Sequence, residues 1–167
     1  MNASHTTAPP AVSLPRRRLA LGLATAALAP GWALAQSRAP KLPVVQVWKD
    51  PNCGCCKDWV AHLVENGFPT KTVESGNTAA RARLGMPVVL GSCHTALVDG
   101  YVLEGHVPAR EVRRLLKERP KALGLSVPRM PVGSPGMDGP AYGGRKDAFD
   151  VLLVAKDGST TVYQTYA

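Results

Sequence analysis

Three of the four cysteines lie within four residues, in the segment Cys53-Gly54-Cys55-Cys56, and the fourth is Cys93. A buried structural cysteine packs as a small apolar side chain and gains nothing from adjacent copies, so this density indicates chemistry rather than core packing. Cys53 and Cys56 have the spacing of thiol-disulfide oxidoreductases, in which a helix N-terminus lowers the thiol pKa. Four converging thiolates instead provide soft ligands that favour Cu(I) or Zn(II).

Cys55 is the residue that best distinguishes dithiol exchange from metal binding. A third thiol in the same turn offers a competing disulfide partner, which fits poorly with simple dithiol exchange. One residue between Cys53 and Cys55, with Cys56 adjacent, is also tighter than the usual zinc spacing of about two to four residues. The spacing therefore favours thiolates shared among several copper ions, and zinc is the less favoured metal.

A purely structural disulfide is the main alternative for the cysteines. Adjacent Cys55 and Cys56 cannot bond each other without strain, so the natural bridge joins Cys53 or Cys56 to Cys93. An extracellular location permits such a bridge. A zinc-stabilised interaction module also stays open.

Three further side chains are secondary candidates for the metal: His94, Met130 and Met137. His94 directly follows Cys93, but neighbouring strand residues point to opposite faces, so a ligand role and a structural role are equally open. The two methionines bracket a loop rich in proline and glycine. A thioether is useful to Cu(I) and is a poor zinc ligand.

Other histidines and the tryptophans near the cysteines are given structural roles. His106 is interpreted as a turn histidine, and His62 lies two turns into the first predicted helix, too far to reach its N-terminus. Trp48 and Trp59 are expected to cover the cysteines and restrict water.

Hydrophobic periodicity predicts the elements that position the cysteines. Residues 44–48 form an apolar run rich in β-branched side chains, which is typical of a buried strand. From Cys56 the apolar residues recur with helical spacing to about Asn66, where Gly67 ends the helix. The cysteines are therefore expected at a strand-to-helix turn, over a helix N-terminus.

The rest of the chain alternates further short elements with turns. In order they are a strand at 70–73, a helix at 78–84, a hairpin of 95–98 and 101–103 around Asp99-Gly100, a helix between Pro108 and Pro120, an irregular loop at 120–147, and a second hairpin of 149–155 and 160–163. This order predicts an α/β, thioredoxin-like single domain with a mixed sheet and an added C-terminal β-hairpin. Such a fold places the Cys93 loop beside the other cysteines.

Residues 1–35 are predicted to be a secretory signal peptide. Arg16-Arg17-Arg18 is a positive segment, and the uncharged apolar run at 19–29 is too short to cross a bilayer. Cleavage is expected after Ala35. The consecutive arginines suit both the general secretory route and the twin-arginine route.

The mature chain is expected to work in the periplasm. Residues 36–43 are predicted to be a flexible leader and 44–167 the metal-binding domain. Without the three signal arginines the formal net charge falls from +8 to +5. The basic residues are dispersed and no aromatic platform lies among them, which argues against nucleic-acid binding. No later segment approaches the length of a membrane span.

The motifs together resemble the CopG-type periplasmic copper-resistance family. The resemblance covers essentially the whole mature chain and is carried by Cys53-Gly54-Cys55-Cys56, Ser92-Cys93-His94-Thr95, Asp99-Gly100-Tyr101, Glu104-Gly105-His106-Val107-Pro108 and the segment from Met130-Pro131 to Ser134-Pro135-Gly136-Met137. It implies a thioredoxin-like domain with a proposed part in copper redox chemistry. It also implies a multinuclear Cu(I) thiolate cluster, whose ligands by position are Cys53, Cys55, Cys56 and Cys93.

We therefore expect a periplasmic copper-binding protein that acts in copper resistance and takes part in copper redox conversion. Its expected partners are copper ions and other periplasmic copper-handling proteins. Enzymatic copper oxidoreduction stays open, because the sequence shows no separate oxygen or electron-acceptor site. The alternative is a periplasmic thiol-disulfide oxidoreductase that uses Cys53 and Cys56, with Cys93 as a resolving thiol.

Overall fold

A seven-stranded sheet organises the part of the chain that the computed structural model describes, residues 41–167. Its elements are β1 (Val45–Lys49), α1 (Gly54–Glu65), β2 (Thr70–Val73), α2 (Thr78–Leu84), β3 (His94–Val98), β4 (Tyr101–Glu104), α3 (Ala109–Glu118), β5 (Gly124–Ser126), β6 (Phe149–Val154) and β7 (Thr160–Tyr166). Short 3-10 turns lie at Val88–Leu90 and Pro140–Tyr142.

The sheet is mixed and has the strand order β2-β1-β3-β4-β5-β6-β7. The β1–β2 and β4–β5 pairs are parallel, and the other neighbouring pairs are antiparallel. β1 and β3 lie side by side, with Lys49 opposite His94. The turn after β1 and the loop before β3 therefore meet where these two neighbouring strands end, and both segments carry cysteines.

Both faces of the sheet are covered, as expected for strands that read as continuous apolar runs. On one face, α1 and α3 pack Trp59, Leu63 and Leu115 against the strands in the larger core cluster. On the other face a smaller cluster gathers Met86 and Leu90. Each fully buried large apolar side chain contributes about 1.5–3 kcal/mol, so this core holds the two cysteine segments in place.

The predicted fold class is confirmed: the described residues form an α/β domain with a mixed sheet and a C-terminal hairpin of β6 and β7. The first helix begins at Gly54 rather than near Cys56. Cys55 and Cys56 therefore belong to its first turn, and Cys53 is the residue that caps it.

The prediction of an irregular loop throughout 120–147 is wrong at β5. The strand has only three residues, Gly-Leu-Ser, so it carries almost no strand signal. It forms because Gly124 allows close approach to β4: a Cβ added there would lie 1.8 Å from the Val102 carbonyl oxygen. Packing of the whole sheet, rather than local propensity, makes this strand.

Two predictions concern the N-terminal part of the chain. The predicted signal peptide, 1–35, lies outside the described residues, as does most of the predicted leader, 36–43. Of that leader, Leu42 packs against the core. Among residues 41–167, no helix has the length and apolar character needed to cross a bilayer.

His62 is expected to make the fold sensitive to acid. Its Nε2 accepts the backbone N–H of Ala109 at the start of α3, at 3.1 Å. Burial lowers the pKa of His62 below its ordinary value of 6.5, and the charges of Asp138 and Glu65 oppose that shift. The unfolded chain therefore takes up a proton that the folded chain does not, so this contribution to stability is present above about pH 6.5 and is lost as the pH falls.

We expect the replacement His62→Gln, which keeps an acceptor for Ala109 but does not titrate, to reduce the loss of thermal stability on acidification. The measurement is thermal unfolding of the metal-free protein between about pH 7.5 and pH 5.5. Equal losses for the variant and the parent chain would show that His62 does not carry this dependence.

Candidate metal centre

The first turn of α1 presents three cysteine side chains at one helix end. Cys53 is the N-cap residue and its side chain makes no capping hydrogen bond. The first turn contains no acidic residue. The unneutralised helix N-terminus favours negative charge nearby, and thiolates are the side chains available to supply it.

Cys53 and Cys56 form a disulfide in this structure, while Cys55 and Cys93 are free thiols. The expectation that a bridge would join Cys53 or Cys56 to Cys93 is therefore wrong. One helical turn brings the Cα atoms of Cys53 and Cys56 to 5.3 Å, within the range that a disulfide spans. The pair that would serve dithiol exchange is the pair that bonds.

Cys93 lies beside the helix cysteines, as the fold predicted. Its Sγ is 3.9 Å from the Sγ of Cys55, which is itself 3.6 Å from the Sγ of Cys53. All four sulfur atoms lie within 4.8 Å of one another. Cys56 is fully buried and the other three are half-buried, so one side of the group remains accessible to an incoming ion.

Burial favours the protonated form of the Cys93 thiol. Desolvation and the neighbouring Cys55 raise the pKa of the Cys93 thiol to about 12, while a hydrogen bond from Ser92 acts in the opposite direction. Binding of a metal to the Cys93 sulfur must therefore displace a proton. Metal uptake at this position is expected to release protons and to weaken as the pH falls.

A buried ion pair holds the loop that carries Cys93. The carboxylate of Glu104, fully buried on β4, accepts hydrogen bonds from the Ser92 N–H at 2.7 Å and from the Thr95 hydroxyl at 2.6 Å. It also pairs with the guanidinium of Arg81 at 2.7 Å. Burial raises the pKa of Glu104, and these donors oppose that rise.

The backbone carbonyl group of Ser92 is also held by hydrogen bonds, one of them from Arg81, the partner of Glu104. Arg81 and the amide of Asn77 both donate to the Ser92 carbonyl oxygen. The residue next to Cys93 is therefore held at its N–H by Glu104 on β4 and at its C=O by Arg81 of α2 and Asn77, the N-cap residue of that helix. This clamp sets where the Cys93 sulfur lies relative to α1.

Two buried histidines contact the Cys93 sulfur. His94 Nδ1 lies 3.4 Å from it and His106 Nε2 lies 3.1 Å from it. Burial lowers the pKa of both rings, so both are neutral imidazoles at neutral pH. The expectation that strand alternation would separate His94 from Cys93 does not hold, because Cys93 precedes β3 and lies in a bend.

His106 is the site residue that sequence analysis missed. The sequence predicts a turn histidine here, yet His106 Nε2 lies against the Cys93 sulfur. The signal was available in the hairpin: Val98 pairs with Tyr101 and Thr95 with Glu104, so continuing the register places residue 106 opposite residue 93. Counting back from Asp99-Gly100 would have found it.

The two methionines predicted as secondary metal ligands, Met130 and Met137, lie in different surroundings. The Met137 sulfur accepts a hydrogen bond from the Tyr142 hydroxyl at 3.1 Å. Met130 is 48% exposed and lines a groove with Arg129 and Asp147 that includes no cysteine. The ligand roles of His94 and of both methionines stay predictions.

The sequence predicts that Trp48 and Trp59 cover the cysteines. Trp59 stacks on the His94 ring, with centroids 4.2 Å apart, and donates its indole N–H to the Val107 carbonyl oxygen. Trp59 therefore covers the His94 ring, next to the cysteines. Trp48 packs beneath the guanidinium of Arg83, 5.2 Å from the ring centroid.

The loop that follows β5 is docked on α1 through Gly136. Gly136 has a φ of +85°, and a Cβ there would lie 2.6 Å from the Cys55 carbonyl oxygen and 2.7 Å from the Trp59 nitrogen. Only glycine allows this contact, because both neighbours are backbone atoms that cannot move aside. The preceding carbonyl, of Pro135, then reaches His106.

We expect Gly136→Ala to lower the free energy of unfolding by about 1–3 kcal/mol, because the added methyl group overpacks this contact. Gly139→Ala is the matched control, since a Cβ at that position meets nothing within 4 Å and the backbone φ is −71°. Chemical denaturation of the metal-free proteins measures both. Equal effects of the two substitutions would contradict this account of the loop.

The donor set suits a soft metal. Cysteine sulfur and neutral imidazole nitrogen bind copper and zinc, and no carboxylate joins either group of close donors found among the described residues. The disulfide must be reduced before Cys53 and Cys56 can bind, because only a thiolate acts as a ligand. In the oxidised form shown here the available donors are Cys55, Cys93 and the two histidines.

The chain is similar to one protein family model and to two solved structures. A family model described as "Protein of unknown function, DUF411" matches residues 90–137. The solved structure "Copper resistance protein copG- Form 2" is 45% identical, covering 75% of this chain and 99% of that one, with a TM-score of 0.69. "Copper resistance protein copG- Form 1" is 44% identical over 75% of this chain and 98% of that one, also with a TM-score of 0.69. A search of curated proteins gave no match.

These relatives share the sequence and the fold of the region that holds the cysteine group. At 45% identity over nearly the whole of the solved chain, the likeness exceeds a shared fold. The resemblance inferred from the motifs is confirmed. The chain belongs to the CopG family of copper-resistance proteins.

Proposed function

We propose that this chain binds Cu(I) through Cys53, Cys55, Cys56 and Cys93 when its disulfide is reduced, and that it acts in copper resistance. The observation that carries the proposal is the convergence of all four sulfur atoms, from two distant segments, within 4.8 Å of one another. The copper resistance named in the relatives' titles supports copper as the metal.

The compactness of the group supports a multinuclear site. Thiolates can bridge metal ions, and three ligands in one helical turn leave little room for a separate tetrahedral cage around each ion. Sulfur–sulfur separations of 3.6 and 3.9 Å allow neighbouring sulfurs to share a metal. Copper fits this arrangement better than zinc does.

The dithiol also provides a balanced route for changing the oxidation state of copper. Closing the Cys53–Cys56 disulfide releases two electrons and two protons, which reduces two Cu(II) ions to Cu(I). Cys55 and Cys93 remain free to hold one of the two Cu(I) ions, and the other leaves the site. We propose this reaction as the part the chain takes in copper redox conversion, with an external thiol reductant restoring the dithiol.

The second candidate is thiol-disulfide exchange with other proteins. The observation that favours it is the disulfide between Cys53 and Cys56, at the N-terminus of α1, with Cys93 as the neighbouring thiol. Cys55, 3.6 Å from Cys53, counts against it because it competes for the same disulfide.

We place this activity in the periplasm, with residues 1–35 as the export signal, 36–43 as leader and 44–167 as the metal-binding domain. A compartment that permits disulfides suits a pair that must open and close. Its partners in the proposal are copper ions and other periplasmic copper-handling proteins.

Anaerobic titration with Cu(I), in competition with a chelator, tests the proposal on two forms of the protein. The reduced form is expected to bind more than one copper per chain and the disulfide form at most one. The insulin-reduction assay tests the second candidate on the same preparations. Equal copper uptake by both forms, or strong insulin reduction that survives Cys55→Ser, would overturn the preference for the copper site.

A further inference from the structure

The histidine side of the Cys93 sulfur forms a second donor group that the four-cysteine site does not use. Cys93 Sγ, one ring nitrogen of His94 and one of His106 all lie within 4.8 Å of one another. Both histidines are fully buried, with no exposed surface. None of the three residues takes part in the disulfide, so the group is intact in the oxidised protein.

The hydrogen bonds of His106 aim a lone pair at this group. Its Nδ1 lies 2.8 Å from the Pro135 carbonyl oxygen. A carbonyl oxygen only accepts, so Nδ1 carries the proton and Nε2, 3.1 Å from the Cys93 sulfur, is unprotonated in the neutral ring. Metal-binding histidines almost always donate their other N–H to such a partner.

His94 is the third member of the group, and its ring lies next to that of His106, with centroids 5.0 Å apart. Its Nδ1 is 3.4 Å from the Cys93 sulfur, and its Nε2 is buried without a hydrogen-bond partner. When the ring proton is on Nε2, the lone pair of Nδ1 faces the sulfur. Stacking on Trp59 and an edge contact with His106 fix the plane of the ring.

The spacing already approaches what one ion needs. Ligand atoms about 2.0–2.3 Å from a metal centre lie roughly 3.3–4.0 Å apart in tetrahedral or trigonal geometry. The two sulfur–nitrogen distances, 3.1 and 3.4 Å, need only small outward shifts. One thiolate with two imidazoles is the set that copper takes in trigonal electron-transfer sites, with a weak ligand on the axis.

We propose that the disulfide form of this protein binds a single copper ion through Cys93, His94 and His106. The proposal rests on the function above only for the identity of the metal. The Cys55 sulfur, 3.9 Å from that of Cys93, is the nearest further donor. Cys93 thus serves two sites, and the state of the Cys53–Cys56 pair decides which of them forms.

The test loads the disulfide form with Cu(I) under anaerobic conditions and measures copper-edge X-ray absorption. We expect one copper per chain, bound by one sulfur and two imidazole nitrogens. A shell of sulfur alone, or no tight binding, would overturn the proposal. A Cys53→Ser/Cys56→Ser double variant, which cannot form the four-thiolate site, should give the same spectrum.

Substitutions then test the named ligands. His106→Gln is expected to weaken copper binding by the disulfide form at least tenfold, since even the loss of an outer partner of a ligand costs about 10–100-fold. His62→Gln is the matched control and should leave the affinity unchanged, because His62 contacts α3 rather than the cysteines. Unchanged affinity in His106→Gln would also overturn the proposal.

The two proposals fail in different measurements. The four-cysteine site is judged on the reduced protein by how many copper ions it takes up. The mixed site is judged on the disulfide form by the atoms that surround its single ion.

Discussion

Replacing Cys93 with serine is expected to abolish the uptake of more than one Cu(I) ion by the reduced protein. Of the four cysteines proposed as ligands, Cys93 is the one from outside the α1 turn, and its sulfur lies 3.9 Å from that of Cys55. Without it, three sulfurs at one helix end cannot enclose several ions. We expect the apparent affinity to fall at least about 100-fold, beyond the 10–100-fold cost of losing a partner outside the ligand shell.

The measurement is Cu(I) titration in competition with a chelator, on reduced Cys93→Ser and on the parent chain. Circular dichroism of the metal-free variant and of the parent chain is the control for folding. Undiminished multiple uptake by the serine variant would exclude Cys93 from the site.

Glu104→Ala is expected to cause a large loss of stability. The change leaves the guanidinium of Arg81, only 13% exposed, without its carboxylate. It also removes the acceptor of Ser92 N–H and of the Thr95 hydroxyl. Breaking a buried pair by removing one partner costs about 3–5 kcal/mol, because the other charge stays buried.

Chemical denaturation of the metal-free protein measures this loss. Glu118→Ala is the matched control: it also removes a glutamate paired with an arginine, Arg114, but both side chains are more than 40% exposed and the change should matter little. Glu104→Gln should lie between the two, because an amide still accepts but carries no charge. A loss for Glu104→Ala no larger than that for Glu118→Ala would contradict the clamp.

Glu104→Ala should also weaken copper binding by the reduced protein, although Glu104 touches no sulfur. Its effect passes through Ser92, whose N–H it holds next to Cys93. If Glu104 were only structural, the variant that still folds would bind copper as the parent does.

Much of the fold could be predicted because its elements follow local patterns. The helix at Thr78–Leu84 ends at Gly85, which has a left-handed φ of +77°, and Asp99-Gly100 turns the hairpin as its residue types indicate. β5 could not be predicted in this way. Three residues beginning with glycine carry no pattern, and the strand forms because Gly124 lets two backbones approach closely.

The position of Cys93 beside the other cysteines could be predicted from the order of the strands and helices. The partner of each side chain within the site was harder to predict. Placing Cys93 beside the α1 cysteines needed only the fold. The spacing of Cys53 and Cys56 indicates their pairing only in the oxidoreductase alternative, because the structural alternative joins one of them to Cys93. The helix that begins at Gly54, two residues before the periodic pattern, brings this pair together. His106 required a count along the hairpin register.

Copper-edge X-ray absorption of the reduced, Cu(I)-loaded protein tests the central claim most directly. We predict a first shell made of sulfur and a second shell that contains copper, because bridging thiolates hold the ions close together. Each chain should carry more than one copper ion. A single copper ion with no copper neighbour, or a shell dominated by nitrogen and oxygen, would contradict the shared thiolate site.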